Sequence, residues 1–454
     1  MIKKTWKNFE SQKSLSSSFS SIPKEVFDQG LVVRWVVLKI LEGIFFEKRT
    51  LLDLTTDKNH SFSFLKPNEK ARALSLIDKI LRNLAGIDEI IEVYIKKNTN
   101  FKVVNILRLA FVEMALDNIP VHAVVNSAVR ICKSERKIKF MSGLVNAVCR
   151  RLSEKIAKGI HVSKPSLSSD LLLKLENIYG ELVTEKISDS LSVKPFIDIT
   201  VKNLRYLNKF ARNLEATILP SGSLRLSKRG QISKLEGFSE GDWWVQDSSA
   251  AIVALTAGNL VGKKVLDVCA APGGKTMQLV SAGADVTALD VSKKRLKRLE
   301  ENLQRTKLKA HIVHSNIKDY KSKVLFDTVL VDAPCTSTGT IRRNIDLQYL
   351  NPSRRLAELV AQQKSILENS MTFVKLWGTL IYSTCSLFPE EGEYLIRQIL
   401  NCNKNWKQNK IDACKFGLKA EWVDIFGGLR LRPDYWKELG GMDGFFIASL
   451  TKIR

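Results

Sequence analysis

The chain has 454 residues, of which 44% are hydrophobic, and its formal net charge at pH 7 is +24. This length exceeds one ordinary domain, and the apolar content excludes bulk disorder. The excess of Lys and Arg favours a polyanionic partner, because each neutralised phosphate releases counterions. A generally basic composition is the alternative interpretation. Residues 1–160 hold 28 Lys and Arg against 16 Asp and Glu, so the amino-terminal third is the most densely basic part.

The start of the chain and its cysteines bear on location. The basic, serine-rich residues 1–25 lack the apolar core of a signal peptide, and we interpret them as a flexible tail. Charges at Arg34, Lys39 and Glu42 interrupt the most apolar window, so we expect no membrane span. Seven cysteines form no CxxC pair, which indicates a reducing compartment. We therefore expect a cytoplasmic monomer that binds no metal.

The first predicted domain is helical and covers residues 26–155. Apolar residues recur at helical spacing over residues 103–114 and again over residues 121–128. Pro120 separates these two helices, and a further helical pattern covers residues 140–152. The spacing predicts a small all-α domain.

The sequence pattern changes after the helical domain. Residues 156–194 are polar and predict a helical linker. Residues 195–250 predict a small α+β extension, in which short strands flank a helix. Trp243 and Trp244 close this region. They are candidates for stacking on the bases of a nucleic acid, although a place in the core is the better prediction for at least one of them.

From residue 251 onward, short branched apolar runs alternate with helical patterns. Such alternation predicts a doubly wound α/β sheet of the Rossmann-like kind, built from buried parallel strands. The terminal run Asp443–Leu450 predicts a closing edge strand. The other predicted strands are Lys264–Cys269, Asp285–Asp290, Ala310–His314, Asp327–Asp332 and Gly378–Ser383.

The turn after the first of these strands, Asp267–Thr276 (DVCAAPGGKT), predicts a ligand site. Gly273 and Gly274 let the backbone approach a ligand, and helix-terminal N–H groups favour an anion. A glycine turn alone is weak evidence, since many are helix caps. Asp290 ends the second strand, where a carboxylate can accept hydrogen bonds from ribose hydroxyls. The chain has no GxxxxGK[ST] pattern, so we predict a nucleoside ligand without a polyphosphate.

Two cysteines follow strands at the edge where open α/β sheets bind ligands. Cys335 ends Asp332–Cys335 (DAPC), and Cys385 lies in Ser383–Ser386 (STCS). A disulfide between them conflicts with a reducing compartment, and no histidine stands at metal-ligand spacing to them. We therefore predict two reactive thiols, whereas the remaining cysteines outside the glycine turn fit small buried hydrophobes.

These motifs resemble those of the Sun-type RNA cytosine-5 methyltransferases, in particular the bacterial small-subunit ribosomal RNA enzymes. The helical domain resembles the NusB fold that this subfamily carries. Together the resemblance covers nearly the whole chain from about residue 26. The motifs of the second part are Val245–Ser249, Cys269–Thr276, Asp332–Cys335 with Gly339, Ser383–Ser386 with Pro389–Glu391, and Asp443–Phe446; those of the first are Arg72–Leu74, Asn105–Leu109 and Ile119–Ala123.

The resemblance implies the reaction and the roles of the site residues. Cys385 would add to carbon 6 of cytosine and make carbon 5 nucleophilic, and Cys335 would assist removal of the carbon-5 proton and release. Asp332 would bond the cytosine ring or the cofactor, and the partner would be small-subunit (16S) ribosomal RNA, bound in part by Arg342 and Arg343. S-adenosylmethionine would bind Cys269, Ala270, Ala271, Pro272, Gly273, Gly274, Lys275, Asp290, Asn316 and Asp332.

The chain departs from the family pattern in two places. Asn316 follows Ser315 where the family has Gly-Asp, and we expect altered contact with the cofactor but no loss of binding. Gly392 replaces the Asn of a Glu-Asn-Glu run, and we expect a softer loop there.

Three other functions compete with this prediction. A DNA cytosine-5 methyltransferase would not need the Thr-Cys motif around Cys385. An amino methyltransferase would carry an Asn/Asp-Pro-Pro-aromatic run in place of Asp332–Cys335. A non-catalytic RNA-binding, ribosome-assembly or antitermination factor on the same fold would have no reason to keep both thiols.

Overall fold

The computed structural model describes residues 31–160, 162–227 and 230–454. The predicted tail of residues 1–25 lies outside the described residues. Within the described ranges, no helix combines the length and the apolar character needed to cross a bilayer.

The chain divides into two compact units. The helical unit holds the described residues up to Ser169 together with the segment Asn344–Asn351. The sheet unit holds Asp170–Arg343 and Pro352–Arg454. The predicted all-α first domain therefore gains a segment that lies far away in sequence.

Seven α-helices of the described residues build the helical unit. The apolar periodicity seen in the sequence gives each long helix a buried face, as Val103, Leu107 and Phe111 do in the fifth. Asn100 caps that helix, because its side chain accepts a hydrogen bond from the Lys102 amide. The helices are α1 (Leu31–Phe45), α2 (Leu51–Thr56), α3 (Pro67–Arg82), α4 (Leu84–Glu92), α5 (Phe101–Ala115), α6 (Val121–Ser134) and α7 (Ser142–Ala157).

The segment Asn344–Asn351 packs as part of the helical unit. The Leu51 amide donates to the buried Asp346 carboxylate at 2.7 Å. The Tyr349 hydroxyl donates to the Leu81 carbonyl at 2.8 Å, and burial raises the pKa of this phenol. The side chains of Asp346 and Tyr349 thus bond the segment to the helical unit.

The second unit begins with two helices and a small antiparallel sheet. The strand order of this sheet is β2-β3-β1-β4. Trp243 and Trp244 lie on β4 and are 0% and 2% exposed, so neither is available to stack on a base and that hypothesis was wrong. The elements are α8 (Ser169–Tyr179), α9 (Glu181–Asp189), β1 (Ile197–Val201), α10 (Leu207–Asn213), β2 (Ala216–Ile218), β3 (Leu224–Leu226) and β4 (Trp243–Val245).

The main sheet has eight strands, and a helix follows each of the parallel strands β5, β6 and β8. The order is β10-β12-β9-β8-β5-β6-β7, and β11 pairs with β12 beside this path. Chain order reverses between β5 and β8, so a ligand crevice is expected at their carboxyl ends. The elements are α11 (Ser248–Leu255), β5 (Lys264–Val268), α12 (Gly274–Ser281), β6 (Asp285–Asp290), α13 (Lys293–Thr306), β7 (His311–His314), β8 (Phe326–Asp332), α14 (Leu356–Met371), β9 (Val374–Thr384), α15 (Glu393–Cys402), β10 (Trp406–Asn409), β11 (Leu429–Leu431) and β12 (Phe445–Lys452).

The doubly wound sheet is confirmed, but the place of its last strand is not the predicted one. Strand β12 runs antiparallel to β9 on one side and to β10 on the other. It is therefore an inner strand, and Trp406–Asn409 forms the edge. The sequence WKQN of that edge strand is short and polar, so it lacks the apolar alternation by which a strand is recognised.

Candidate active site

The glycine turn joins β5 to α12 at the carboxyl edge of the sheet. Gly273 has φ of 105°, a left-handed conformation that favours glycine, and α12 begins at Gly274. Asp290 at the end of β6 holds the turn, because its carboxylate accepts from the Ala271 amide at 3.1 Å and from the Ser292 amide at 2.8 Å. Burial raises the pKa of Cys269 to about 12, so this thiol of the turn is not a nucleophile.

A buried carboxylate lies under the glycine turn. Asp267, on β5, is 0% exposed and accepts a 2.6 Å hydrogen bond from Thr276 through Oδ2. Its other oxygen, Oδ1, has no hydrogen-bond partner among the described residues. Burial raises the pKa of Asp267 to about 7. A buried acceptor left open at a ligand turn marks a place for a donor from the ligand.

A charged pair bridges the crevice between β5 and β8. The Lys275 ammonium lies 2.7 Å from Oδ2 of Asp332. Oδ1 of Asp332 accepts a 3.0 Å hydrogen bond from the Ser383 hydroxyl. Asp332 is therefore fixed between the glycine turn and the strand that leads to Cys385.

The two predicted reactive thiols meet at the ends of β8 and β9. Sγ of Cys335 lies 3.5 Å from Sγ of Cys385, and the Ser337 hydroxyl lies 3.5 Å from Cys385. The hydrogen bond with Cys335 lowers the pKa of Cys385, against burial and the charge of Asp332. The same hydrogen bond, together with burial, raises the pKa of Cys335 well above its ordinary value. The opposite pKa directions of the two groups therefore favour a thiolate at Cys385 and a donating thiol at Cys335.

The Cys335 loop (residues 333–340) and the Cys385 loop (residues 385–392) are joined by hydrogen bonds. The Gly339 amide donates to the Cys385 carbonyl at 2.9 Å, and the Leu387 amide donates to the Thr338 hydroxyl at 2.9 Å. A Cβ at Gly392 would come within 2.7 Å of the Phe446 ring, so this residue is tightly packed. This packing explains why a residue without a side chain stands at Gly392, and the softer loop stays a prediction.

The two predicted RNA-binding arginines have different surroundings. Arg342 is 2% exposed and donates to the Gly440 carbonyl at 2.7 Å, so it belongs to the interior and its predicted RNA contact does not fit the structure. Arg343 forms an ion pair with Asp443 and keeps 38% of its side chain exposed. Burial opposes its charge, but Asp443, Asp247 and the nearby Cys385 raise the pKa of Arg343.

The structure brings most predicted site residues to one edge of the sheet. Asn316 follows β7 at the same edge, is exposed, and accepts from the Lys318 amide at 3.1 Å. Sequence reasoning did not single out Asp267 or the buried Glu391, although both lie inside quoted motifs. It also missed Gln363, which contacts Glu391 from α14 and carries no recognisable signal in the sequence.

A doubly wound sheet with a nucleoside-type turn and paired thiols defines a methyltransferase of the Rossmann-like class. The comparisons specify it further. Residues 255–451 match the family model "16S rRNA methyltransferase RsmB/F", and residues 32–154 match the NusB family. A ribosomal RNA small subunit methyltransferase B from Pasteurella multocida is 31% identical, over 93% of this chain and 96% of its own length.

Two further relatives agree with these matches. The ribosomal RNA small subunit methyltransferase B of Pectobacterium carotovorum is 30% identical over 87% of this chain and 95% of its own length. The crystal structure of a methyltransferase homologue from Pyrococcus horikoshii superimposes with a TM-score of 0.51 and 27% identity, over 63% of this chain and all of that one. The chain belongs to the RsmB/F family of S-adenosylmethionine-dependent 16S rRNA methyltransferases.

The residues at the glycine turn fit this cofactor. The open Oδ1 of Asp267 suits an ammonium donor, and the amino terminus of α12 suits a carboxylate; S-adenosylmethionine carries both groups. Gly274 leaves space above the turn, since a Cβ there would make only ordinary contacts with Gln246. Asp290 supplies a carboxylate beside the turn.

Proposed function

We propose that the protein methylates carbon 5 of a cytosine in 16S ribosomal RNA through a covalent bond between Cys385 and carbon 6. The observation that carries this proposal is the 3.5 Å contact of two thiols at the ligand edge of the sheet. Methylation of a ring nitrogen or an amino group needs no thiol, whereas carbon 5 becomes nucleophilic only after a nucleophile adds to carbon 6. S-adenosylmethionine, when bound, supplies the methyl group.

Three residues have separate roles in this scheme: Cys385, Asp332 and Cys335. The Cys385 thiolate forms the carbon–sulfur bond, which shifts an electron pair of the ring towards carbon 5. Asp332, held by Lys275 and Ser383, faces the crevice and bonds the ring. Once Cys385 is bonded to carbon, it no longer raises the pKa of Cys335. Cys335 then gives up its own proton to solvent, and the resulting thiolate accepts the carbon-5 proton while the carbon–sulfur bond breaks and restores the Cys385 thiolate.

RNA contacts are proposed on both units. Beside the thiols, Arg343 offers an oriented cation to the substrate strand, because Asp443 holds its guanidinium. On the helical unit, the basic loop (residues 136–141) joins α6 to α7. Phe140 in this loop is 80% exposed, and Arg136, Lys137 and Lys139 beside it are exposed as well. An exposed ring among cations is suited to stacking on bases and contacting phosphates.

Substitution of the two thiols tests the chemistry. Without Cys335, addition and transfer proceed but release fails, so Cys335→Ala should accumulate a protein–RNA adduct that survives denaturing electrophoresis. Cys385→Ala should form no adduct and no 5-methylcytosine by bisulfite sequencing of 16S rRNA. The double variant should lose the adduct. Trapping by Cys385→Ala alone would reverse the two roles, and activity in both single variants without trapping would overturn the covalent scheme.

A further inference from the structure

Glu391 is a buried carboxylate between the two cysteine loops. It is 0% exposed and lies at the end of the Cys385 loop. Its Oε1 accepts from the Thr336 amide at 2.9 Å and from the Gln363 side-chain amide at 2.8 Å, and its Oε2 accepts from the Thr336 hydroxyl. These three donors are neutral. Burying a carboxylate costs free energy even when it is hydrogen-bonded. Neutral groups would therefore form a purely structural link at a lower free-energy cost.

The bonds of Glu391 connect the parts of the chain that carry the thiols. Thr336 is the residue after Cys335, and Gln363 also donates to the Pro334 carbonyl at 2.8 Å. The Glu391 carbonyl accepts from the Tyr382 hydroxyl at 2.9 Å, which ties it to the strand before Cys385. One residue thus holds both sides of the thiol pair.

We propose that Glu391 is a positioning residue that decides which thiol is the nucleophile, because it clamps the two loops and keeps Cys335 in the role of hydrogen-bond donor to Cys385. This inference rests on the proposed covalent function. It assigns Glu391 no contact with the substrate.

The charges around the thiols agree with this role. Glu391 is among the groups that raise the pKa of Cys335, after the hydrogen bond with Cys385 and burial, and the ring of Tyr382 faces it as well. Asp332, Lys275 and Arg343 face Cys385 instead. The carboxylate on the Cys385 side, Asp332, is paired with Lys275, whereas Glu391 on the Cys335 side is held by neutral donors, so the two thiols are unequal.

The test is the pH dependence of iodoacetamide labelling of each cysteine, followed by mass spectrometry of its peptide. In the parent, Cys385 should be labelled at lower pH than Cys335. In Glu391→Gln the two labelling midpoints should approach each other, and kcat should fall by roughly tenfold to 100-fold with little change in KM. Glu390→Gln is the matched control, because this neighbour is partly exposed and pairs with Lys174. It should leave both curves unchanged.

Unchanged labelling curves in folded Glu391→Gln would overturn the proposal. If that variant does not fold, Thr336→Val takes its place, because it removes one hydrogen-bond donor to Glu391 and keeps the carboxylate. The two labelling midpoints of Thr336→Val should approach each other partially. Unchanged curves would again overturn the proposal. Labelling does not depend on RNA. If the labelling midpoints converge in Glu391→Gln but the parent forms no 5-methylcytosine, the proposed function alone is refuted. If the parent forms 5-methylcytosine but the labelling curves of Glu391→Gln are unchanged, only the role of Glu391 is refuted.

Discussion

Asp290 holds the glycine turn, and we propose that it also binds the cofactor. Its Oδ2 accepts the Ala271 amide and lies 3.5 Å from the Arg295 guanidinium, whereas Oδ1 accepts the Ser292 amide and keeps a lone pair for another donor. Asp290→Ala should therefore weaken the binding of S-adenosylmethionine by about 1.5–3 kcal/mol, the scale of a hydrogen bond to a charged group. Titration calorimetry measures this directly.

The control for that measurement lies on the same strand. Asp285 begins β6 at the opposite edge of the sheet and is exposed, so Asp285→Ala should leave the affinity unchanged. Equal affinities of Asp290→Ala and the parent would remove Asp290 from the cofactor site.

Asp267 predicts a pH dependence of stability. Its pKa in the folded protein is about 7, whereas its ordinary value is 3.8, so the folded state holds this proton more tightly than the unfolded chain. The stabilising contribution is complete below about pH 4 and is lost as the pH rises through 7. Asp267→Asn cannot ionise, so its free energy of unfolding should rise relative to that of the parent by at most about 4 kcal/mol between pH 4 and pH 8.

Thermal unfolding of both proteins across this range is the measurement. The gap in Tm between Asp267→Asn and the parent should widen with pH, while Asp285→Asn should follow the parent at every pH. A constant gap would show that Asp267 does not change its protonation on folding.

At the scale of elements, the basic loop tests RNA binding by the helical unit. Phe140→Ala should weaken the binding of a 16S rRNA fragment by about 1–3 kcal/mol, the range for one stacked base. Lys137→Ala with Lys139→Ala should reduce the salt slope of binding, because fewer counterions are released. Filter binding at several salt concentrations measures both effects.

An exposed lysine pair elsewhere on the helical unit provides the control. Lys96→Ala with Lys97→Ala removes the same charge after α4 and should have a smaller effect. Equal losses from the two double variants would show general attraction of RNA to a basic surface, without a particular role for the loop.

Element boundaries were predictable where apolar periodicity is strong. The strand over Asp285–Asp290 was predicted at its observed bounds, because alternating burial on both faces needs a branched apolar run. The sequence of residues 354–376 predicts a single helix, but helix α14 ends at Met371 and β9 begins at Val374. Both segments are apolar there, and pairing with β8 rather than local propensity decides the boundary.

At the scale of the molecule, the sequence was sufficient for the fold and for the edge of the sheet that carries the site. Motifs after β5, β8 and β9 had to converge there, because parallel strands end at one edge. The burial of Arg342 could not be predicted, since it depends on the distant loop that contains Gly440. Glu390 and Glu391 are equivalent in the sequence, and only tertiary packing separates the paired surface residue from the buried one.

The segment Asn344–Asn351 has a consequence for synthesis on the ribosome. The helical unit is encoded first, but part of it leaves the ribosome about 175 residues after Ser169. At roughly 5–20 residues per second, that interval is on the order of ten to thirty-five seconds. During this time the Leu51 amide and the Leu81 carbonyl lack the partners that the finished protein gives them. The amino-terminal unit is thus completed only when most of the second unit has also been translated.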